Sequence, residues 1–161
     1  LFIWIPINFN LGKKILLAIL LIDETNNYEY FSHKYNISNN LKENLSLLSK
    51  NFINFRVNKK FFQNDLKKNI FYFGKEHLKE LYLLNFLVSK KLKLNDFKKT
   101  FSTIEKTSIP KFPINGEYLK NKGVKEGAIM GKILILLKNI WVNNNFTISD
   151  QEILRAINNQ K

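Results

Sequence analysis

The sequence predicts an all-α protein. Apolar residues recur at steps of three and four along most of the chain, no stretch of useful length alternates apolar with polar residues as a strand does, and Ser, Asn or Asp stands where several of the periodic runs begin. With 161 residues, 45% of them hydrophobic, the chain is long enough to bury a sizeable core as one domain or two small ones.

Taken in order, Lys13 to Ile22 and Tyr28 to Tyr35 are helical candidates joined by the polar turn "DETNN". Ser38 is an N-cap for a helix whose stripe is Leu41, Leu45, Leu48 and Phe52. Asn64 is the expected cap of the next helix. Asp65 is placed to complement the positive end of that helix, and Leu66, Ile70 and Phe73 repeat the apolar steps until Gly74 interrupts them. A longer helix is expected from Lys75 to Ser89, with Leu78, Leu81, Leu84 and Val88 inward, and a short one from Asn95 through Phe101.

"SIPKFPING" carries two of the three prolines, which neither continue a helix nor leave the preceding residue helical, so a boundary is expected there. It divides a helical body, 1–107, from a small tail, 108–161. In the tail, Asn115 caps a short helix from Gly116 to Lys122, "GVKEG" turns the chain, and a helix runs from Ala128 to Val142. Ser149 with Glu152 three residues on is a capping box for a last helix.

The 26 basic and 13 acidic residues give a formal net charge of +13, the footprint of a protein that meets phosphate backbones. Only two of the basic residues are Arg, Arg56 and Arg155, and 23 residues are Asn. Codon bias toward A and T produces the same profile, so position is the more informative quantity. Leu1 to Phe55 holds 5 basic and 4 acidic residues, Arg56 to Lys99 holds 12 and 4, and Thr100 to Lys161 holds 9 and 5. The excess therefore lies in the middle and last thirds.

The absence of cysteine excludes disulfides and thiolate metal sites and is compatible with a reducing compartment. The apolar runs "ILLAILLI" and "ILILL" are too short to span a bilayer, so a soluble, cytoplasmic chain without a membrane partner is expected. The opening "LFIWIPINF" has no basic region ahead of it. It reads as the severed, sticky end of something longer rather than as a secretion signal.

Candidates for chemistry are few. His77 and Glu80, at i and i+3, are spaced to share a metal but lack a third ligand in sequence. Asp150 and Glu152 resemble a carboxylate pair for magnesium, yet their place in a first helical turn favours capping. Asp23 and Glu24 read as solvated turn residues. No phosphate-cradling Walker sequence, nucleophile elbow or zinc-hydrolase His pair is present, so neither catalytic nor metal-ligating residues are expected in this chain.

Gly116, Gly123, Gly127 and Gly131, four of the six glycines, stand out because each costs about 1 kcal/mol within a helical context. Gly123 fits the left-handed residue just past a helix. Gly127 leaves the mouth of the following helix open, where bare N–H groups bind phosphate. Lys122, Gly123, Lys125, Gly127, Ala128 and Lys132 form the candidate phosphate-binding set, which is the RNA-binding set under the resemblance given below. On a helical projection Met130, Ile133, Leu137, Ile140 and Trp141 share one arc, while Ala128, Lys132, Ile135 and Asn139 point away. Gly131, on the border, is expected to admit another helix closely.

The segment "FPINGEYLKNKGVKEGAIMGKILILLKNIWVNNNF" resembles the C-terminal tail of the tRNA nucleotidyltransferases that add CCA to tRNA 3′ ends, a group that includes bacterial poly(A) polymerases. The residues that carry the likeness are Phe112, Pro113, Gly116, Leu119, Gly123, Val124, Gly127, Gly131, Leu134 and Trp141, followed by Phe146. Upstream, "LAILLIDETNNYEYFSHKYNISNNLKENLSLL" and "DLKKNIFYFGKEHLKELYLL" are similar to the body of that family, so coverage runs from about residue 15 to the end. The resemblance implies the body and tail of such an enzyme without its catalytic head, holding the acceptor arm and elbow of tRNA by shape. It implies that Mg2+, CTP and ATP belong to a head and neck not found here. The choice between CCA and poly(A) addition, and the oligomeric state, stay open. The alternative from the residues is a helical interaction or dimerisation module in which the lysines follow codon bias.

Overall fold

A computed structural model describes residues 12–23, 25–58, 60–89 and 92–159, so Glu24 and the opening "LFIWIPI" lie outside the described residues. Nine α-helices and no strand occur among them. The chain falls into two compact units, 1–107 and 108–161.

The first unit is built around one helix. Helices α1 (Lys13–Leu21), α2 (Asn27–Tyr35) and α3 (Asn39–Val57) pack on one another, and α5 (Lys75–Val88) packs against α1, α3, α4 (Leu66–Phe73) and α6 (Leu94–Lys106). The Ser38 hydroxyl caps α3 by accepting the Leu41 amide at 3.4 Å, and Leu45, Leu48 and Phe52 of the expected stripe are buried. Leu78, Leu81 and Leu84 of α5 are wholly inside, and Tyr82 and Leu83 join them, so this helix is covered on more than one face. Aromatic rings carry the core outward, from Phe55 to Phe62 at 4.8 Å, on to Tyr82 at 4.7 Å and then to Phe97 at 5.7 Å.

Four expectations are corrected. Val88, at the last turn of α5, is 42% exposed rather than inward. Asn64 does not cap α4: Asp65 holds the cap position without a side-chain cap bond, and one of its carboxylate oxygens accepts the Asn58 side chain at 3.0 Å. Asn95 lies inside α6, which begins at Leu94 and runs to Lys106, longer than the expected end at Phe101. Asp23 is not merely solvated, since its carboxylate accepts the Thr25 amide, the Thr25 hydroxyl and the Asn27 side chain at 3.1, 2.5 and 2.6 Å and so shapes the turn. These bonds, the Thr25 hydroxyl first, hold the Asp23 carboxyl below its ordinary range.

The second unit comprises α7 (Gly116–Asn121), α8 (Ala128–Asn143) and α9 (Asp150–Asn158), with α8 packed on both others. Its core is Ile114, Leu119, Val124, Met130, Ile133, Leu137, Ile153, Ala156 and Ile157. Asn115 caps α7 by accepting the Tyr118 amide at 2.8 Å. The capping box of α9 forms, with the Glu152 amide donating to Ser149 Oγ at 3.3 Å and the Ser149 amide to Glu152 Oε2 at 2.8 Å. These bonds hold the Glu152 carboxyl below its ordinary range, the Ser149 amide contributing most.

Candidate nucleic-acid interface

The glycine segment is set by one helix end and one helix start. Past the last residue of α7, the Gly123 amide donates to Lys120 O at 2.8 Å and the Val124 amide to Leu119 O at 3.0 Å, the paired bonds of a Schellman motif. Gly123 takes φ +80°, as that motif requires, and Val124 drops into the core beside Leu119. Gly127 then adopts φ +128° and ψ −160°, a conformation all but reserved for glycine, and hands the chain to α8.

The start of α8 is uncapped. Gly127 supplies no side chain, and the amides of Ala128, Ile129 and Met130 meet no acceptor among the described residues. Three N–H groups at the positive end of a helix 16 residues long are therefore without an acceptor among the described residues. Beside them is a hollow of about 540 Å³ lined by Gly123, Val124, Lys125, Glu126, Ala128, Ile129 and Ile133. A Cβ added at Gly123, Gly127 or Gly131 would meet nothing within 4 Å, so the mouth is not plugged.

Of the six candidate residues, Gly123, Lys125 and Ala128 line this hollow and Gly127 is the helix cap beside it. Lys125 and Lys132 are exposed and pair with no carboxylate among the described residues; Lys132 stands one turn along α8, outside the lining. Lys122 lies instead over the Tyr118 ring, 5.8 Å from its centre. Glu126 also lines the hollow, but its carboxylate is bridged by Lys120, which leaves the cations in excess around the turn.

Gly131 overturns an expectation. It admits no neighbouring helix: its backbone is ordinary helix and the space beside it is open. The close approach occurs at Gly116, where an added Cβ would lie 3.4 Å from the Met130 sulfur. The sequence signal for Gly131 was the glycine itself, but periodicity cannot distinguish a packed helix face from a bare one. The apolar residues exposed on α8, Ile129 at 54% and Ile135 at 64%, were equally ambiguous in sequence.

The remaining motif residues have structural work. Trp141 packs against Phe112 at 5.3 Å and Phe146 at 4.9 Å, fixing the far end of α8. His77 and Glu80 do not converge. His77 is buried with Nε2 3.0 Å from the Asn51 side-chain nitrogen, whereas Glu80 pairs with Lys14 at 2.6 Å. Burial first, and the Lys14 charge second, push the His77 pKa down to about 4, so the ring is neutral near pH 7. Among the described residues no three His, Cys, Asp or Glu side chains gather as a metal would require, and no helix is long and apolar enough to cross a membrane. Compared with known proteins, the chain matches no family model, no curated protein and no solved structure.

Proposed function

We propose that the tail docks an RNA backbone at the start of α8, and that the chain serves as the tRNA-holding body and tail of a nucleotidyltransferase that adds CCA, placing the acceptor arm and elbow while a head elsewhere performs catalysis. The observation that carries the docking is the uncapped mouth of α8: three bare amides, no side chain at Gly127, and Lys125 and Lys132 without carboxylate partners. A phosphate settled there gains the amide donors and the helix-end potential, while the lysines screen its neighbours along the strand. The apolar side of the hollow, Ile129 and Ile133, suits the less polar edge of a sugar. The tRNA and the CCA chemistry rest on the motif resemblance, and Mg2+ with CTP and ATP would act in the head and neck of such an enzyme.

The test is Lys125→Glu, measured for tRNA binding across a salt series. The expected result is weaker binding and a slope of log affinity against log salt reduced by about one, with helicity retained. An unchanged slope defeats the docking. A second reading, a helical interaction module, is favoured by the exposed Ile129, Ile135 and Leu136 on α8. It predicts concentration-dependent association and equal affinity for tRNA and a linear RNA of the same length.

A further inference from the structure

A second hollow, of about 420 Å³, opens in the first unit between α3 and α4. It is lined by Asn51, Asn54, Asn58, Asp65, Asn69 and Lys68, with Phe61, Phe73 and Val57 as apolar walls. Its floor is built rather than incidental. Asn51 is 1% exposed and Asn69 9%. The Asn69 amide nitrogen donates to Phe61 O at 2.8 Å, and that of Asn51 faces His77 Nε2 at 3.0 Å. Each carboxamide is thus oriented by its nitrogen, and neither carbonyl oxygen accepts a hydrogen bond from the described residues. Because no fully buried side-chain nitrogen or oxygen lacks a partner, those two oxygens are not completely enclosed, and both residues line this hollow. One Asp65 oxygen takes the Asn58 amide, leaving the other as a third acceptor.

The floor therefore asks for N–H donors, the walls for a flat apolar body, and the rim for negative charge. The rim charge is that of the exposed Lys60, which sits between the lining residues Asn58 and Phe61. A bare ammonium meets the floor but not the rim, and a free phosphate meets the rim but not the floor. A nucleotide whose base bears an exocyclic amino group satisfies all three, since Asn and Asp side chains are natural acceptors for such amines. We propose that this hollow binds an amino-bearing nucleobase of a nucleotide or an unpaired strand. The site belongs to the first unit and goes beyond the docking proposed for the tail.

The test measures binding of the full chain to unstructured RNA oligomers of equal length at near-physiological salt. The expected order is oligo-A and oligo-C over oligo-U by roughly tenfold. An A oligomer dimethylated at N6, which keeps charge and ring but loses both N–H donors, should fall to the oligo-U level. Adenosine monophosphate assayed alone separates a free nucleotide from a strand as the source. Asn69→Ala should erase the preference; because it also removes the bond to Phe61, Asn54→Phe at the exposed lip, which fills the hollow and leaves that bond intact, should do the same with unchanged helicity. Equal affinity for all the oligomers, or a preference that survives Asn54→Phe, overturns the proposal. Neither result bears on the tail, whose docking is read from the Lys125→Glu salt slope with folded tRNA.

Discussion

The two units differ in what they bury. Ser32, Ser49, Asn51, Asn69, His77 and Asn85 are all buried in the first unit, whereas the buried residues of the second are apolar throughout. Both units leave large apolar residues in the open, among them Leu20 and Val57 in the first and Ile129 and Ile135 of α8 in the second. The body holds polar groups inside and must satisfy each of them with a specific partner, as Asn51 does with His77 and Asn69 with Phe61 O. The tail has an undemanding core and keeps its unusual features on the surface, where glycines leave the first amides of α8 without a side-chain cap. The body should therefore be sensitive to protonation and the tail to loss of apolar volume.

The largest effect is expected from Leu119→Ala. Leu119 is fully buried, and its carbonyl accepts the Val124 amide in the turn before α8. Removing its side chain should destabilise the tail by about 3 kcal/mol, read by denaturant unfolding and by loss of amide protection in 108–161. A change below about 1 kcal/mol would show that this core does not hold the tail.

The next effect belongs to the body and to pH. His77 has a folded pKa near 4 against an ordinary 6.5, so as pH falls the unfolded chain takes up the proton first. The associated stability is complete above pH 6.5 and declines as pH drops toward 4. With allowance for partial solvent screening, the loss is about 2 kcal/mol. Hydrogen exchange at pH 6.5 and 5 should register weakening in α3 and α5 while α8 and α9 hold. Equal weakening of both units would erase the distinction between them.

Most of the helical pattern was legible in the sequence because it depends on local rules: cap residues at Ser38, Asn115 and Ser149, and apolar periodicity on one face. The misjudged positions are those where a distant partner decides. Asp65 looked like a helper to a capped helix, but it takes the cap position itself without a cap bond, and one of its oxygens accepts Asn58, seven residues away. Val88 kept the period of α5 yet is 42% exposed at its last turn. At the candidate site, the left-handed conformation of Gly123 was readable from the turn chemistry, because positive φ leaves few residue choices, whereas the φ of +128° at Gly127, expected only to leave the helix mouth open, was not. The hollow between α3 and α4 was not readable. Its asparagines are scattered from 51 to 69 and look like composition until the fold aligns them.

The smallest expected effects distinguish the two kinds of glycine in the tail, and there the signs differ. Gly123→Ala forces a side chain into φ +80° and should destabilise by about 1 kcal/mol whether or not RNA is present. Gly131→Ala meets open space and an ordinary helical backbone, so it should stabilise the free protein by about 0.5 to 1 kcal/mol. Under the docking proposed above, a glycine that weakens its own helix and meets no neighbour within 4 Å would leave room for a strand lying along α8 beside the open amides. If that is its role, the stabilised variant should bind tRNA several-fold more weakly, so that thermal stability and affinity move in opposite directions. Should Gly131→Ala be more stable and bind equally well, the bare face of α8 has no role in docking, and the site contracts to Lys125 and the amides at its mouth.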